Sequence, residues 1–132
     1  MDTKALDTQT RELVRELRKL VSGEVRFDEF SRALYSTDAS IYQMTPVGVV
    51  VPRSEEDVLA VMELAHREGI PVLPRGAGTS LSGQAVNHAI VLDFSKYMDG
   101  LIETNPEEKW ALVEPGMVLE SLNRRVAEHG LH

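Results

Sequence analysis

Val72-Leu-Pro-Arg-Gly-Ala-Gly-Thr-Ser-Leu-Ser-Gly-Gln84 is an apolar strand that runs directly into a loop of glycine and hydroxyl residues. Gly76, Gly78 and Gly83 can adopt backbone conformations closed to other residues, and they let the main chain approach phosphate oxygens closely. Successive N–H groups from Arg75 to Ser80 can compensate the charge of a diphosphate without a cationic side chain. The stretch therefore predicts a diphosphate-binding loop, with a simple tight connection between strands as the alternative.

Two common phosphate-binding motifs do not fit this loop. Gly78 and Gly83 have the spacing of a P-loop, but Gln84 and Ala85 stand where that motif needs Lys and Ser or Thr. The dinucleotide fingerprint G-x-G-x-x-G fails as well, because Leu81 occupies the third glycine position and no periodic apolar helix follows. The loop is of another type.

The loop resembles the pyrophosphate-binding loop of the FAD-linked oxidase superfamily, the vanillyl-alcohol-oxidase-type flavoproteins, and departs from its usual form PRGGGTSLSGQ only at Ala77. The resemblance extends from about Tyr35 to His132, through YSTDASIYQMTPVGVVVPRSEEDV, HREGIPVLPRGAGTSLSGQ, IVLDFSKYM and VEPGMVLESLNRRVAEHGLH. Within the superfamily the sequence is most similar to bacterial D-2-hydroxy-acid dehydrogenases of the D-lactate, glycolate and D-2-hydroxyglutarate type. The resemblance implies an α+β fold, the first subdomain of a PCMH-type FAD-binding domain, with a βαβ unit, further strands and flanking helices.

The resemblance also implies a set of cofactor-binding residues. Thr79 stands where relatives with covalently attached flavin often have histidine, so we expect non-covalent FAD at this loop. We expect Arg75 to contact the cofactor through its backbone and to brace the loop with its side chain. Pro115-Gly116 matches the family's EPG segment near the flavin, although a plain strand-to-helix turn explains it nearly as well. The expected cofactor-binding residues are Pro74, Arg75, Gly76, Ala77, Gly78, Thr79, Ser80, Gly83, Gln84, Pro115 and Gly116.

Hydrophobic periodicity and turn residues predict the secondary structure. We expect helices over 8–21 and about 27–34, strands over 47–51, 71–74 and 89–94, a helix from Ser54 to Gly69, a hairpin over 100–113 and a helix over about 118–130. Val58, Val61, Met62 and Ala65 should line the inner face of the Ser54 helix. Residues 1–40 are expected to form an N-terminal helical extension, and 41–132 the first half of the FAD-binding domain.

Composition excludes several other functions. The net charge of −7 and scattered basic residues argue against nucleic-acid binding. The chain has no cysteine for a disulfide or thiolate-bound cluster, and its four histidines lack metal-site spacing. The sequence contains no apolar run of about 20 residues, the length that an integral membrane segment requires. No signal peptide is visible. We expect a cytoplasmic protein, with attachment to the inner membrane face as an alternative.

Other candidate residues have simpler explanations. Glu55 with Glu56 and Glu107 with Glu108 lie at a helix start and a hairpin tip, where solvated charge is usual. Trp110 is expected to pack against its sheet. Asp93 is expected to cap a turn at Ser95 rather than to serve the cofactor.

The predicted function is that of an N-terminal fragment, inactive by itself, of an FAD-dependent oxidoreductase. The intact protein would oxidise a small D-2-hydroxy acid by hydride transfer to the flavin and pass electrons to an unidentified acceptor. Some large D-2-hydroxy-acid dehydrogenases of this type carry a C-terminal iron–sulfur region, so the resemblance implies that such a centre could lie in sequence C-terminal to these residues. No catalytic residue is expected within this chain. Sugar lactones, phenolic alcohols and alkyl-glycerone phosphates remain alternative substrates, and a non-catalytic nucleotide-binding or protein-docking module remains the alternative class.

Overall fold

A computed structural model describes residues 7–132 of the chain, so Met1 to Leu6, at the start of the predicted extension, lie outside the described residues. The helices are α1 (Thr8–Leu20), α2 (Glu29–Leu34), α3 (Glu55–Glu68) and α4 (Leu119–Val126), the last continued by a 3-10 turn, Ala127–His129. The strands are β1 (Glu24–Arg26), β2 (Gly48–Val51), β3 (Val72–Arg75), β4 (Ile90–Asp93), β5 (Leu101–Asn105) and β6 (Trp110–Val113). The expected α+β fold is confirmed.

The first four strands form one sheet in the order β1-β2-β4-β3. β2, β4 and β3 run parallel, and β1 lies antiparallel on the outer side of β2. The predicted βαβ unit, β2-α3-β3, is present, but its two strands do not pair because β4 lies between them. β5 and β6 form a separate antiparallel hairpin.

Side chains of the central strands alternate between two apolar layers, as the two-residue period of a strand requires. Val50, Ile90 and Leu92 pack with α1 and α3 in the larger layer, to which Phe27 and Met98 also belong. A smaller layer on the other face contains Val49, Val51 and Val91, with Tyr35, Leu73 and Tyr97 packed against it. Strands β2 and β4 are therefore buried on both faces, as the Val47–Val51 run predicts for β2.

Helix α3 has the boundaries that its end residues predict. Ser54 Oγ accepts from Asp57 N at 3.3 Å, and Gly69 ends the helix in a left-handed conformation. The predicted inner face is wrong at Met62, which is 47% exposed, while Leu64 is buried. The buried face is rotated toward Asp57 and Leu64, because Asp57 binds the chain that follows α1.

Asp57 fastens the end of α1 to the start of α3. Its carboxylate accepts from the backbone N–H groups of Ser22, Gly23 and Arg53 at 2.7, 2.9 and 2.9 Å, and from the Ser22 hydroxyl at 3.0 Å. Burial favours the neutral acid, but these hydrogen bonds outweigh it and hold the pKa of Asp57 below its usual range. Although residues up to 40 are predicted as an extension, α1 and β1 thus share one core and one sheet with the following strands.

Candidate diphosphate-binding site

The glycine loop begins at the carboxyl edge of the parallel sheet. Arg75 ends β3 and pairs in register with Asp93, which ends β4. Residues 76–89 leave this edge and return to the start of β4 at Ile90. Because loops at the carboxyl ends of parallel strands commonly form ligand sites, this position agrees with a binding role.

At two of the three loop glycines, the backbone conformation and the surrounding atoms require a residue without a side chain. Gly78 has φ +71°, and a Cβ at this residue would lie 2.4 Å from Arg75 Nη2. Gly83 has φ +80°, and a Cβ there would lie 2.7 Å from the Tyr42 ring. Gly76 does not have a positive φ, and no atom lies within 4 Å of the position a Cβ would take. The space beside Gly76 is therefore open to an approaching molecule.

The backbone of the loop presents several N–H groups that the described part of the chain leaves unpaired. Within residues 7–132, the N–H groups of Gly76 to Ser80 donate to no protein acceptor. Thr79, which is exposed, and Ser80, which is half-buried, belong to this same stretch and carry hydroxyl groups. A run of unpaired donors beside open space fits an anionic group such as a diphosphate.

The side chain of Arg75 turns back under the loop instead of pointing outward. Its Nη1 donates to the carbonyl of Ala85 at 2.9 Å, and its guanidinium lies over the Tyr35 ring, 5.3 Å from the ring centre. The same guanidinium fills the space beside Gly78. Arg75 thus braces the loop from inside, as expected from the sequence. Because its guanidinium is used there, the backbone N–H groups would have to compensate the charge of a bound anion.

Asp93 is a structural residue, as its position before Ser95 predicts. It is buried and accepts from the Tyr35 hydroxyl, from Ser95 N at 2.8 Å and from Ser95 Oγ at 2.6 Å. Burial, with the hydrogen bond and negative charge of Asp93, raises the pKa of Tyr35 to about 12. Tyr35 thus joins the loop brace, Arg75, to the end of β4.

The remaining loop residues of the predicted set are exposed. Pro74 lies in β3, the outer strand of the sheet, where the missing proline N–H is tolerated. Gln84 Oε1 accepts from Ser82 N at 3.2 Å, which closes a local turn. Ala77 is exposed beside the open side of the loop.

Pro115-Gly116 packs against the turn that follows β4. Gly116 N donates to Met98 O at 2.8 Å, and a Cβ at Gly116 would lie 2.1 Å from Phe94 O. Phe94 N in turn donates to Arg75 O at 3.0 Å. Contact with the protein's own backbone is therefore enough to require glycine here, while a cofactor contact of Pro115 and Gly116 stays a prediction.

Three further observations concern Trp110, metal-binding side chains and helix hydropathy. Trp110, which is expected to pack against its sheet, is 41% exposed, and its Nε1 donates to Glu108 at 3.0 Å. Among residues 7–132, no three His, Asp or Glu side chains are grouped as a metal site would require. No helix in the same residues is long and apolar enough to cross a bilayer.

Sequence reasoning missed a segment that holds the loop from outside, Ser36–Met44, here called the clamp segment. Ala39 N donates to Gly78 O at 3.0 Å, and Asp38 Oδ2 accepts from Ala85 N at 3.2 Å. The hydroxyl and Asx residues of YSTDAS did indicate a turn. Its partners could not be deduced, because the Asp38–Ala85 hydrogen bond joins residues 47 apart in the chain.

Comparison with known proteins gives three further findings about sequence. A family model described as "FAD binding domain" matches residues 46–132. The D-2-hydroxyglutarate dehydrogenase of Escherichia coli (strain K12) is 42% identical over 112 residues, which are 83% of this chain and 11% of that protein. The glycolate oxidase subunit GlcD of Bacillus subtilis (strain 168) is 33% identical over 123 residues, 89% of this chain and 26% of that subunit.

A solved structure supports the fold. The crystal structure of p-cresol methylhydroxylase with substrate bound matches 97% of this chain and 26% of its own, with a TM-score of 0.79 and 22% identity. The chain thus spans between about a tenth and a quarter of the length of these proteins.

Proposed function

Because the chain belongs to the family of FAD-binding domains, we propose that its glycine loop holds the diphosphate of FAD within a flavin-dependent oxidoreductase. The observation that carries this proposal is the run of unpaired N–H groups from Gly76 to Ser80 beside the open space at Gly76. Successive backbone amide donors without a protein acceptor can attract phosphate oxygens without a cationic side chain. Thr79 and Ser80 add hydroxyl donors at the same place.

The chain's contribution to the reaction is binding and orientation. When bound, FAD would supply the redox chemistry by accepting a hydride from the carbon that bears the substrate hydroxyl. The residues of the loop would fix the diphosphate at the centre of the cofactor, and Thr79 offers no imidazole for a covalent link. The base and the carboxylate-binding groups of the enzyme are proposed to lie outside these 132 residues, because the matched relatives are several times longer.

The proposed substrate class is small D-2-hydroxy acids. The similarity to a D-2-hydroxyglutarate dehydrogenase and to a glycolate oxidase subunit supports this choice. Assaying the longer polypeptide with D-2-hydroxyglutarate, D-lactate and glycolate and an electron-accepting dye tests it. Turnover restricted to phenolic alcohols or sugar lactones would refute the substrate class, and turnover by the 132-residue chain alone would refute its role as a binding piece.

Titration followed by amide NMR tests the loop directly, because a 14.7 kDa chain gives resolved spectra and weak binding remains measurable. ADP and FAD should shift the amide resonances of Gly76 to Ser80 most strongly. AMP and FMN, with one phosphate each, should bind more weakly. Equal binding of all four, or shifts confined to residues away from the loop, would refute diphosphate recognition.

Non-covalent binding of FAD is proposed from the identity of Thr79 alone, and it has its own test. FAD should separate from the acid-precipitated longer polypeptide and remain in the supernatant. A yellow precipitate would contradict it. An iron–sulfur centre and association with the inner membrane face stay predictions about the longer protein.

A further inference from the structure

The clamp segment, Ser36–Met44, lies wholly outside the residues that match the FAD-binding family, which begin at 46. It nevertheless contacts both ends of the glycine loop. Ala39 N donates to Gly78 O near the loop's start, and Asp38 Oδ2 accepts from Ala85 N at its end. The Tyr42 ring packs on Gly83 between these two points.

The clamp segment is itself held in shape by local hydrogen bonds. Thr37 and Gln43 form an antiparallel bridge, and Met44 N donates to Ser36 O at 2.9 Å. Ser40 N donates to Asp38 Oδ1 at 2.8 Å, so the carboxylate is fixed from its own side before it reaches Ala85. A closed loop of this kind is a firm support for a neighbouring segment.

Ala85 is held both by Asp38 of the clamp segment and by the side chain of Arg75. Its N–H donates to Asp38, and its carbonyl accepts from Arg75, whose guanidinium lies over Tyr35. Ala85 is 6% exposed, so loss of either partner leaves a buried polar group unpaired. The end of the loop is thus fixed by two charged side chains of opposite sign, one on each side of the backbone.

We propose that Asp38 and the clamp segment are positioning elements that hold the amides of Gly76 to Ser80 in the conformation that binds a diphosphate. This inference rests on the proposed function and adds residues outside the loop to it. A loop fixed before binding loses less conformational entropy when the ligand arrives, which raises affinity. Asp38 would act through its hydrogen bond with Ala85 N and not by binding the anion itself.

The direction in which one substitution changes the affinity for ADP distinguishes a positioning role of Asp38 from a purely electrostatic one. Asp38 is negative and lies beside a site for an anion, so removal of its charge alone would strengthen diphosphate binding. Asp38→Asn keeps the size of the side chain but leaves Ala85 N or Ser40 N facing an amide NH₂. We expect affinity for ADP to fall about tenfold in Asp38→Asn, because a hydrogen bond to a charged group is lost.

Two control variants make the result specific. Asp99→Asn removes the same charge from an exposed residue away from the loop and should leave ADP affinity unchanged. Asp57→Asn weakens the α1–α3 junction and lowers stability without touching the loop, so it too should leave affinity unchanged well below its melting temperature. Unchanged or tighter binding by Asp38→Asn, or equal weakening by Asp57→Asn, would overturn the inference.

Amide hydrogen exchange measured without ligand tests independently whether Asp38 holds the end of the loop in place. The Ala85 amide should exchange at least tenfold faster in Asp38→Asn than in the unaltered chain and be unchanged in Asp99→Asn. Unaltered exchange at Ala85 would overturn the inference whatever the binding data show. If the unaltered chain bound neither ADP nor FAD, the proposed function would fail, and exchange would still decide whether the clamp segment orders the loop.

Discussion

Replacement of Asp57 by Asn should destabilise the fold by about 3 kcal/mol, although the two side chains have nearly the same shape. Asp57 Oδ1 accepts from Ser22 N, and an amide oxygen can keep that bond. Oδ2 accepts from the N–H groups of Gly23 and Arg53, and the NH₂ of Asn would face both donors. Two backbone N–H groups therefore lose their partner.

The magnitude follows from those two donors and from the helix start. An unsatisfied, partly buried N–H costs about 1–1.5 kcal/mol, the lower part of the general range. The negative charge in the first turn of α3 contributes about 0.5 kcal/mol more through the helix dipole. The total of about 3 kcal/mol corresponds to a fall of about 10 °C in melting temperature for a domain of this size.

Urea and thermal unfolding followed by circular dichroism measure this difference. Glu56→Gln is the matched control, since it removes a charge from the same helical turn at an exposed residue and should cost under about 1 kcal/mol. Because the folded pKa of Asp57 is depressed, its ionised carboxylate stabilises the fold above about pH 4. The advantage over Asp57→Asn should shrink as the pH falls below that value. Equal stability of Asp57→Asn and Glu56→Gln at pH 7 would refute the reasoning.

Three other predictions concern the site and its surroundings. Gly76→Ala should leave the melting temperature unchanged or slightly raised, since no protein atom meets the new methyl group, while ADP titration should show weaker binding. Gly116→Ala should destabilise by about 2–3 kcal/mol in urea unfolding, because its Cβ would collide with Phe94 O; a change below about 1 kcal/mol would contradict this. Tyr35 should ionise at about pH 12 in a ¹³C NMR titration, so its contribution to stability is complete below about pH 10 and is lost as the pH rises through 12; ionisation near pH 10 would contradict this.

The sequence predicted elements whose signals are local. Ser54 and Gly69 mark the ends of α3 because capping depends on residues within one helical turn. The hairpin over 100–113 was predicted from β-prone residues around an Asn-Pro turn, and β5 and β6 confirm it. Gly78 was expected to shape the loop, and its positive φ agrees with that.

Features that depend on distant contacts escaped prediction. β1 has only three residues, Glu24–Arg26, two of them charged, and it is a strand because β2 offers it an edge. Trp110 is 41% exposed, and no pattern within its strand reveals this, because exposure depends on what lies over the strand. Asp38 and Tyr35 joined the site through partners 47 and 58 residues away.

The place of β4 in the sheet governs the order in which the chain can acquire this fold during synthesis. Among residues 7–132, β3 pairs with no strand except β4, so within this part of the chain residues 72–75 have no ladder partner until residues 90–93 have been made. The glycine loop joins these two strands, so both must be in place before it can take its final shape. A growing chain that ends before Ile90 would therefore expose an unpaired apolar strand, the stage of folding at which such chains aggregate most readily.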